Sequence, residues 1–251
     1  MRAIWTGAIG FGLVNIPVKL FSATKDSRPD FDMLDRKDQS RIRYRRINEK
    51  TGKEVDWDRI VKGFLLRDNY VVLEDADFEE ASPEKTKTIN LQSFVKEIDI
   101  ESIYFETPYY LQPQKGGERA YLLLLKALEK TKMAGLSTFV MRNTENLAII
   151  RPYDGVLMLN KLRFHEEVRD VDELNIPSGI KVAKQEMDMA VQLIKRHAGE
   201  FNIADYKDEY SKELMKIIRA KAKGKRPTLR KLKVKTTKST DLLTQLKASL
   251  A

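Results

Sequence analysis

Apolar residues change their period once along this 251-residue chain, and that change divides it more sharply than any other feature. Before about residue 165 they recur mainly at every second position, the spacing of a half-buried strand. Val14, Ile16, Val18 and Leu20 alternate, as do Arg41, Arg43 and Arg45 with Ile42 and Tyr44. Glu49-Lys50-Thr51-Gly52-Lys53 then supplies a turn. Leu147 to Arg151 and Val156 to Phe164 flank Pro152-Tyr153-Asp154-Gly155, a hairpin signal. In its returning strand Val156, Met158, Leu162 and Phe164 share one face, with Asn160 the polar exception. One helix interrupts this region after Gly116-Gly117, with a stripe of Ala120, Tyr121, Leu124, Ala127 and Leu128. After Phe164 the steps become three and four residues. Ser178 is positioned to cap a helix through Ala183, Met187, Ala190, Val191 and Ile194, stopped at Gly199. A second helix carries Tyr206, Tyr210, Leu214, Ile217 and Ile218, ends near Gly224 and is sealed by Pro227. Thr240 to Leu250 suits a short amphipathic helix through Leu242, Leu243, Leu246 and Leu250.

Composition matters here mainly through charge. Lys and Arg number 46 against 37 Asp and Glu, giving +9. Lys221, Lys223, Lys225, Arg226, Arg230, Lys231, Lys233, Lys235 and Lys238 account for all of it, so residues 1–220 sum to zero. That neutral body is polarised. Residues 36–53 hold eight basic side chains against Asp38 and Glu49, whereas 68–84 hold Asp68, Glu74, Asp75, Asp77, Glu79, Glu80 and Glu84 with no base. Such segregation favours a polyanionic partner, nucleic acid ahead of an acidic membrane. Gly7, Gly10, Gly12, Asn15 and Pro17 interrupt the apolar opening, which reads as a buried strand rather than a signal or a span. The cytoplasm is the expected location.

Catalytic patterns do not assemble. The absence of cysteine excludes thiol chemistry and cysteine-held metal, and two histidines make no metal centre. Gly52-Lys53 lacks the upstream glycine of a phosphate loop, because position 47 is Ile47. Gly7, Gly10 and Gly12 reverse the dinucleotide order and suit strand packing or bulges. His165-Glu166-Glu167 lacks a second histidine at Arg169, and reads as a capping or surface histidine. Ser178 lies in no nucleophile elbow. The expected protein is not an enzyme and needs no cofactor or metal.

The run Arg41-Ile42-Arg43-Tyr44-Arg45-Arg46 is the most informative local feature. Extended, it sets Arg41, Arg43 and Arg45 on one face about 6.5–7 Å apart, so their forks can track phosphates without reading sequence. A solvated hairpin face, charged against edge pairing, explains the same pattern. Arg36, Lys37, Arg46, Lys50 and Lys53 nearby favour the phosphate reading. Tyr104, Phe105, Tyr109 and Tyr110 suit core packing better than base stacking. The lysine-rich tail is either a solubilising extension or a weak, salt-sensitive DNA contact.

Several longer stretches carry a resemblance. Arg2-Ala-Ile-Trp-Thr-Gly-Ala-Ile-Gly-Phe-Gly-Leu-Val-Asn-Ile-Pro-Val-Lys-Leu20 resembles the opening of the bacterial Ku proteins, DNA-end-binding factors of non-homologous end joining. The likeness continues through I-V-K-G-F, F-E-T-P-Y-Y-L-Q-P, A-Y-L-L-L-L-K-A-L and L-R-F-H-E-E-V-R, to the helical stretch from Tyr206 to Gly224. It implies a mixed, mainly β fold: a β-barrel core with a bridging loop, followed by a helical C-terminal arm and a basic tail. Two subunits would close a ring that threads onto broken double-stranded DNA, and the C-terminal region would recruit an ATP-dependent multidomain end-joining ligase. The implied divisions are 1–170 for the barrel core, with its bridge at about 36–62, then 171–220 for the arm and 221–251 for the tail. The DNA-binding set becomes Lys19, Arg36, Lys37, Arg41, Arg43, Arg45, Arg46, Lys50, Lys53 and Lys62, with Lys223, Lys225 and Arg226 in the tail. The acids of 68–84 should face away from DNA. Some relatives carry a zinc-ribbon-like bridge; without cysteine, the turn here must hold by hairpin pairing alone. Two rival readings are a metal-dependent nuclease, for which no carboxylate cluster is visible, and a ligase-docking adaptor that binds DNA only through its basic tail. The expected setting is cytoplasmic and nucleoid-associated.

Overall fold

The computed structural model describes residues 1–81, 87–142, 144–225, 245, 246 and 249. Its elements are β1 (Trp5–Phe11), β2 (Val14–Ser22), β3 (Lys62–Leu66), β4 (Asn69–Leu73), α1 (Asp75–Ala81), β5 (Thr88–Val95) and β6 (Phe105–Pro113), then α2 (Glu118–Thr131), β7 (Ala134–Met141), β8 (Thr144–Tyr153), β9 (Val156–Leu162), α3 (Lys184–His197) and α4 (Glu209–Ala222). Seven strands close a barrel in the order β1-β2-β6-β9-β8-β7-β5, while β3 and β4 form a separate two-stranded sheet. Closure is made by a parallel pair, with Ala8, Ile9 and Gly10 of β1 opposite Thr88, Ile89 and Asn90 of β5. A barrel leaves no strand edge exposed. Gly7 makes that seam possible, because a methyl group there would strike the Lys87 carbonyl and the Trp5 ring. The opening glycines thus serve strand packing and, at Gly12, the turn into β2.

Two compact units emerge: residues 1–26 with 32–170, and residues 27–31 with the described residues from 171 onward. In the first, the barrel core joins Ile16, Val18 and Leu20 of β2 to Ile150, Leu157 and Leu159 of β8 and β9. Tyr121, Leu124, Leu125 and Leu128 bring the buried face of α2 into the same cluster. The Tyr121 hydroxyl donates to Leu111 O and accepts from Leu157 N–H, each at 2.7 Å, and so bridges β6 and β9. Burial raises the phenol pKa above its ordinary value, with the Leu157 N–H opposing that shift.

The Asp154-Gly155 turn forms as its sequence predicts, with φ of +46° and +76°. The inward face of β9 does not match expectation. Leu157 and Leu159 belong to the barrel core, while Met158 and Asn160 are buried on the other side. There the Arg151 guanidinium covers them: Nε donates to Asn160 Oδ1 at 2.8 Å, and another nitrogen pairs with Glu97 at 3.0 Å. Among the aromatics, Tyr109 is buried in the core, and Tyr104 and Phe105 pack partly buried against the smaller cluster around Leu162. Tyr104 Oη lies 3.1 Å from His165 Nδ1, and His165–Glu167 form a single 3-10 turn after β9.

The second unit is helical, with both helices starting later than predicted. Helix α3 starts at Lys184, not after Ser178; the Glu186 carboxylate reaches back to the Ala183 N–H at 3.0 Å, and Gly179 sits at φ +80° in the preceding turn. It ends at extended Ala198, before Gly199 is needed. Tyr206 follows the 3-10 turn Ile203–Asp205 instead of opening α4. Asp208 is the cap of α4, accepting the Ser211 N–H at 3.0 Å, and Gly224 closes the helix at φ +71°. The predicted terminal helix and Pro227 lie outside the described residues, except for 245, 246 and 249.

Hydrogen bonds from Ser211, with the Arg28 charge assisting, hold the Asp208 carboxyl pKa below the ordinary aspartate value. A lowered carboxylate pKa stabilises above the unfolded value and is lost as pH falls through the folded one. Asp208→Ala should therefore speed amide exchange at Ser211 at pH 7, with the difference from the parent fading as pH falls through the lowered carboxylate pKa. Equal exchange at pH 7 would show that the cap does not hold the helix.

Candidate nucleic-acid interface

Between β2 and β5 the chain leaves the barrel, and no described residue from 22 to 87 is buried. Two small turns and the link between them carry most of its basic side chains. In the first, Leu34 bridges Arg41, Ile42 N donates to Met33 O at 2.9 Å, and Gln39 N donates to Asp35 O at 2.8 Å. Arg36 and Lys37 stand at its tip. Asp38 accepts from both Ser40 N and Ser40 Oγ, at 2.9 and 2.7 Å, which lowers its carboxyl pKa and keeps one anion at the tip. In the second turn Ile47 bridges Glu54, and Val55 N donates to Arg46 O at 2.8 Å. The Asn48 carboxamide oxygen accepts from Lys50 N and Thr51 N at 3.0 Å each, while Gly52 takes φ +67°. Hairpin pairing and this side-chain turn hold Lys50 and Lys53 outward. Asn48 was legible as a turn-former three residues before Thr51, although the sequence reading rested on Gly52 alone.

Arg41 to Arg46 is not one strand of a ladder. Its ends belong to the two turns, through Arg41 and Ile42 on one side and the Arg46 carbonyl on the other, and residues 43–45 link them in no ladder. Nor are its guanidiniums equivalent. Arg41 pairs with Asp32 at 2.7 Å and Arg45 with Glu54 at 3.4 Å, and Arg46 lies 4.3 Å above the Trp57 ring. Arg43 is exposed and has no acidic partner among the described residues. Exposed pairs of this kind contribute between nothing and about 1 kcal/mol, so a phosphate can displace either carboxylate at little cost. Trp57 escaped the sequence reading; its only signal was an aromatic residue beyond an arginine cluster.

Lys62 opens β3, and its ammonium sits 4.2 Å over the Phe78 ring of α1. Glu74, Asp75, Asp77, Glu79 and Glu80 are exposed around α1, whereas Glu84 lies outside the described residues. Lys19 is exposed on β2, opposite Thr6 and Gln112. Lys223 and Lys225 follow α4 in the other unit, and Arg226 lies outside the described residues. The structure thus gathers Arg36 to Lys62 into one excursion from the barrel, with Lys19 on the barrel itself. No cluster of three metal-ligating side chains occurs among the described residues. No described helix is long and apolar enough to cross a membrane.

A closed seven-stranded barrel with a basic excursion inserted between two of its strands, and amphipathic helices later in the chain, defines a class of β-barrel proteins with a long inter-strand bridge. The model of the Ku70/Ku80 beta-barrel domain matches residues 10–189. The chain is 39% identical to the non-homologous end joining protein Ku of Coxiella burnetii, over 88% of this chain and 83% of that one. It is 42% identical to that of Archaeoglobus fulgidus over 90% of both, and 39% identical to that of Pseudomonas aeruginosa over 88% and 77%. This chain belongs to the Ku family. None of these relatives is named as an enzyme.

Proposed function

We propose that this chain binds double-stranded DNA ends without reading sequence, as a homodimeric ring in non-homologous end joining. Bound rings protect the ends and recruit an ATP-dependent DNA ligase. The observation that carries this reading is the excursion itself. It is basic at both turns and none of its described residues is buried, yet it exposes Trp57, Phe64, Leu65, Tyr70 and Val72. So much exposed apolar surface calls for a protein partner, and a second copy supplies a matching excursion. Helices α3 and α4 likewise contain no buried residue. In this reading residues 1–170 are the barrel with its bridge at about 36–62, 171–220 are the arm, and 221–251 are the tail. The chain acts on chromosomal breaks in the cytoplasm.

Recognition of an end then needs no chemistry. A closed ring cannot pass onto a covalently closed circle, so a free end is the entry point. Guanidiniums hold phosphates and release counterions; six to eight contacts would give a slope of log affinity on log salt of about −5 to −7. Gel shifts on linear and closed circular DNA of equal mass, with the full chain and with residues 221–251 removed, test the reading. Linear DNA should be bound and circles excluded, and the shortened chain should keep end binding. Equal binding of circles sinks the ring. Near-total loss on tail removal would instead favour the adaptor that holds DNA only by its tail.

A further inference from the structure

Beside the barrel core, α2 and the β1–β2 hairpin enclose an open apolar groove of about 570 Å³. Phe11, Val14 and Phe94 form one wall, and Ala120, Leu123 and Ala127 the other. The first wall is fixed by an edge-to-face contact between Phe11 and Phe94, with ring centroids 5.5 Å apart. Leu123 is 71% exposed, an uncommon state for a leucine on a helix whose other stripe is fully packed. The polar side chain at the groove's end, Thr131, satisfies itself by donating to Ala127 O at 2.8 Å. The floor therefore asks for apolar atoms and offers no hydrogen bond.

Charge decides what kind of apolar ligand fits. On α2 the residues beside the groove wall at i, i+7 and i+11 are Arg119, Lys126 and Lys130, all exposed and all basic. The acids of the helix, Glu118 and Glu129, fall on the opposite side by helical periodicity. An apolar groove flanked by a basic row complements an amphipathic segment with apolar anchors on one face and carboxylates beside them. Duplex DNA matches the row but has nothing to place in an apolar floor. The chain's own segment 240–250 carries leucines, but Asp241 is its only acid.

We propose that the groove between α2 and the β1–β2 hairpin is a docking site for an acidic amphipathic helix of another protein. The probe is a fluorescein-labelled helical peptide of about 18 residues, with Leu and Phe at three- and four-residue spacing and Glu flanking them. A matched peptide carries Lys in place of every Glu. With the full chain, anisotropy should show the Glu peptide bound at least tenfold more tightly than the Lys peptide. Leu123→Asp, at an exposed position, should weaken the Glu peptide at least tenfold. Lys126→Glu with Lys130→Glu should reverse the preference between peptides, and both variants should shift linear DNA as the parent does. Equal binding of the two peptides, or none, overturns the proposal. So does displacement of the peptide by duplex DNA, which would make this a nucleic-acid surface. A tenfold gain on removing residues 221–251 would assign the groove to the chain's own terminus, and halving of the sedimenting mass by Leu123→Asp would assign it to a second copy; either result also overturns it.

Discussion

Alanine at Arg41, Arg43, Arg45 and Arg46 together should weaken binding to linear duplex DNA by about a hundredfold or more at 150 mM salt, and should flatten the salt slope by about 3 to 4. The single variants should not be equal. In the ring reading Arg43 would enter a phosphate contact with no acid among the described residues to leave, whereas Arg41 must first give up Asp32 at 2.7 Å. Arg43→Ala should therefore cost about twofold more affinity than Arg41→Ala, and Asp32→Asn should tighten binding by a similar factor. Arg46→Ala also removes the cover from Trp57. Titration by fluorescence anisotropy at several salt concentrations checks all of these. An unchanged slope in the fourfold variant would place the DNA contacts elsewhere.

Tyr121→Phe should lower barrel stability by about 3 kcal/mol, because it strands a buried carbonyl and a buried N–H on neighbouring strands. For a chain of this size that corresponds to about 6–12 °C in Tm. The hydroxyl sits 2.7 Å from both Leu111 O and Leu157 N. Its raised pKa adds a pH signature. The unfolded phenol ionises near pH 10, and the folded one later. Stability is thus intact below pH 10 and is lost as pH rises through the folded pKa. Tyr121→Phe should abolish that alkaline loss while lowering the plateau at pH 7. Tyr104→Phe, whose hydroxyl meets only His165 at an exposed site, should change Tm little. Thermal unfolding by circular dichroism from pH 7 to 11 separates these outcomes; a Tyr121→Phe Tm equal to the parent's would show that the bridge carries no stability.

What was legible in the sequence was mostly local. Asp154-Gly155 is legible because a two-residue turn depends on its own φ angles. The stripe on α2 is legible because one face of a helix meets one core. Strand β9 defeats the period-two reading because both of its faces are covered, the inner one by the core and the outer one by Arg151 from the next strand. Arg41 to Arg46 has the alternation of a strand but no neighbour to pair with, and pairing is a property of the fold, not of the segment. Residue types and charge along the excursion were readable; the acids that partner Arg41 and Arg45 were not, since Asp32 and Glu54 depend on where the two turns place them. Tyr121 is legible as part of the α2 stripe, but its hydroxyl's bridge is not, because β6 and β9 become neighbours only when the sheet assembles.

The parallel seam between β1 and β5 has a further consequence for how this architecture can vary. The excursion departs from β2 and returns on β5, the two strands that flank β1. Its ends are therefore pinned about 20 Å apart, by two strand spacings and a register offset of about five residues along β1, whatever lies between them. Closing such a loop costs entropy that grows only with the logarithm of its length, about 0.6 kcal/mol for each doubling. Residues inserted at the tips near Lys37 or Lys50 would thus load the barrel very little. The span of the excursion and the stability of the barrel at its base are nearly independent quantities, so selection or engineering can adjust one without spending the other.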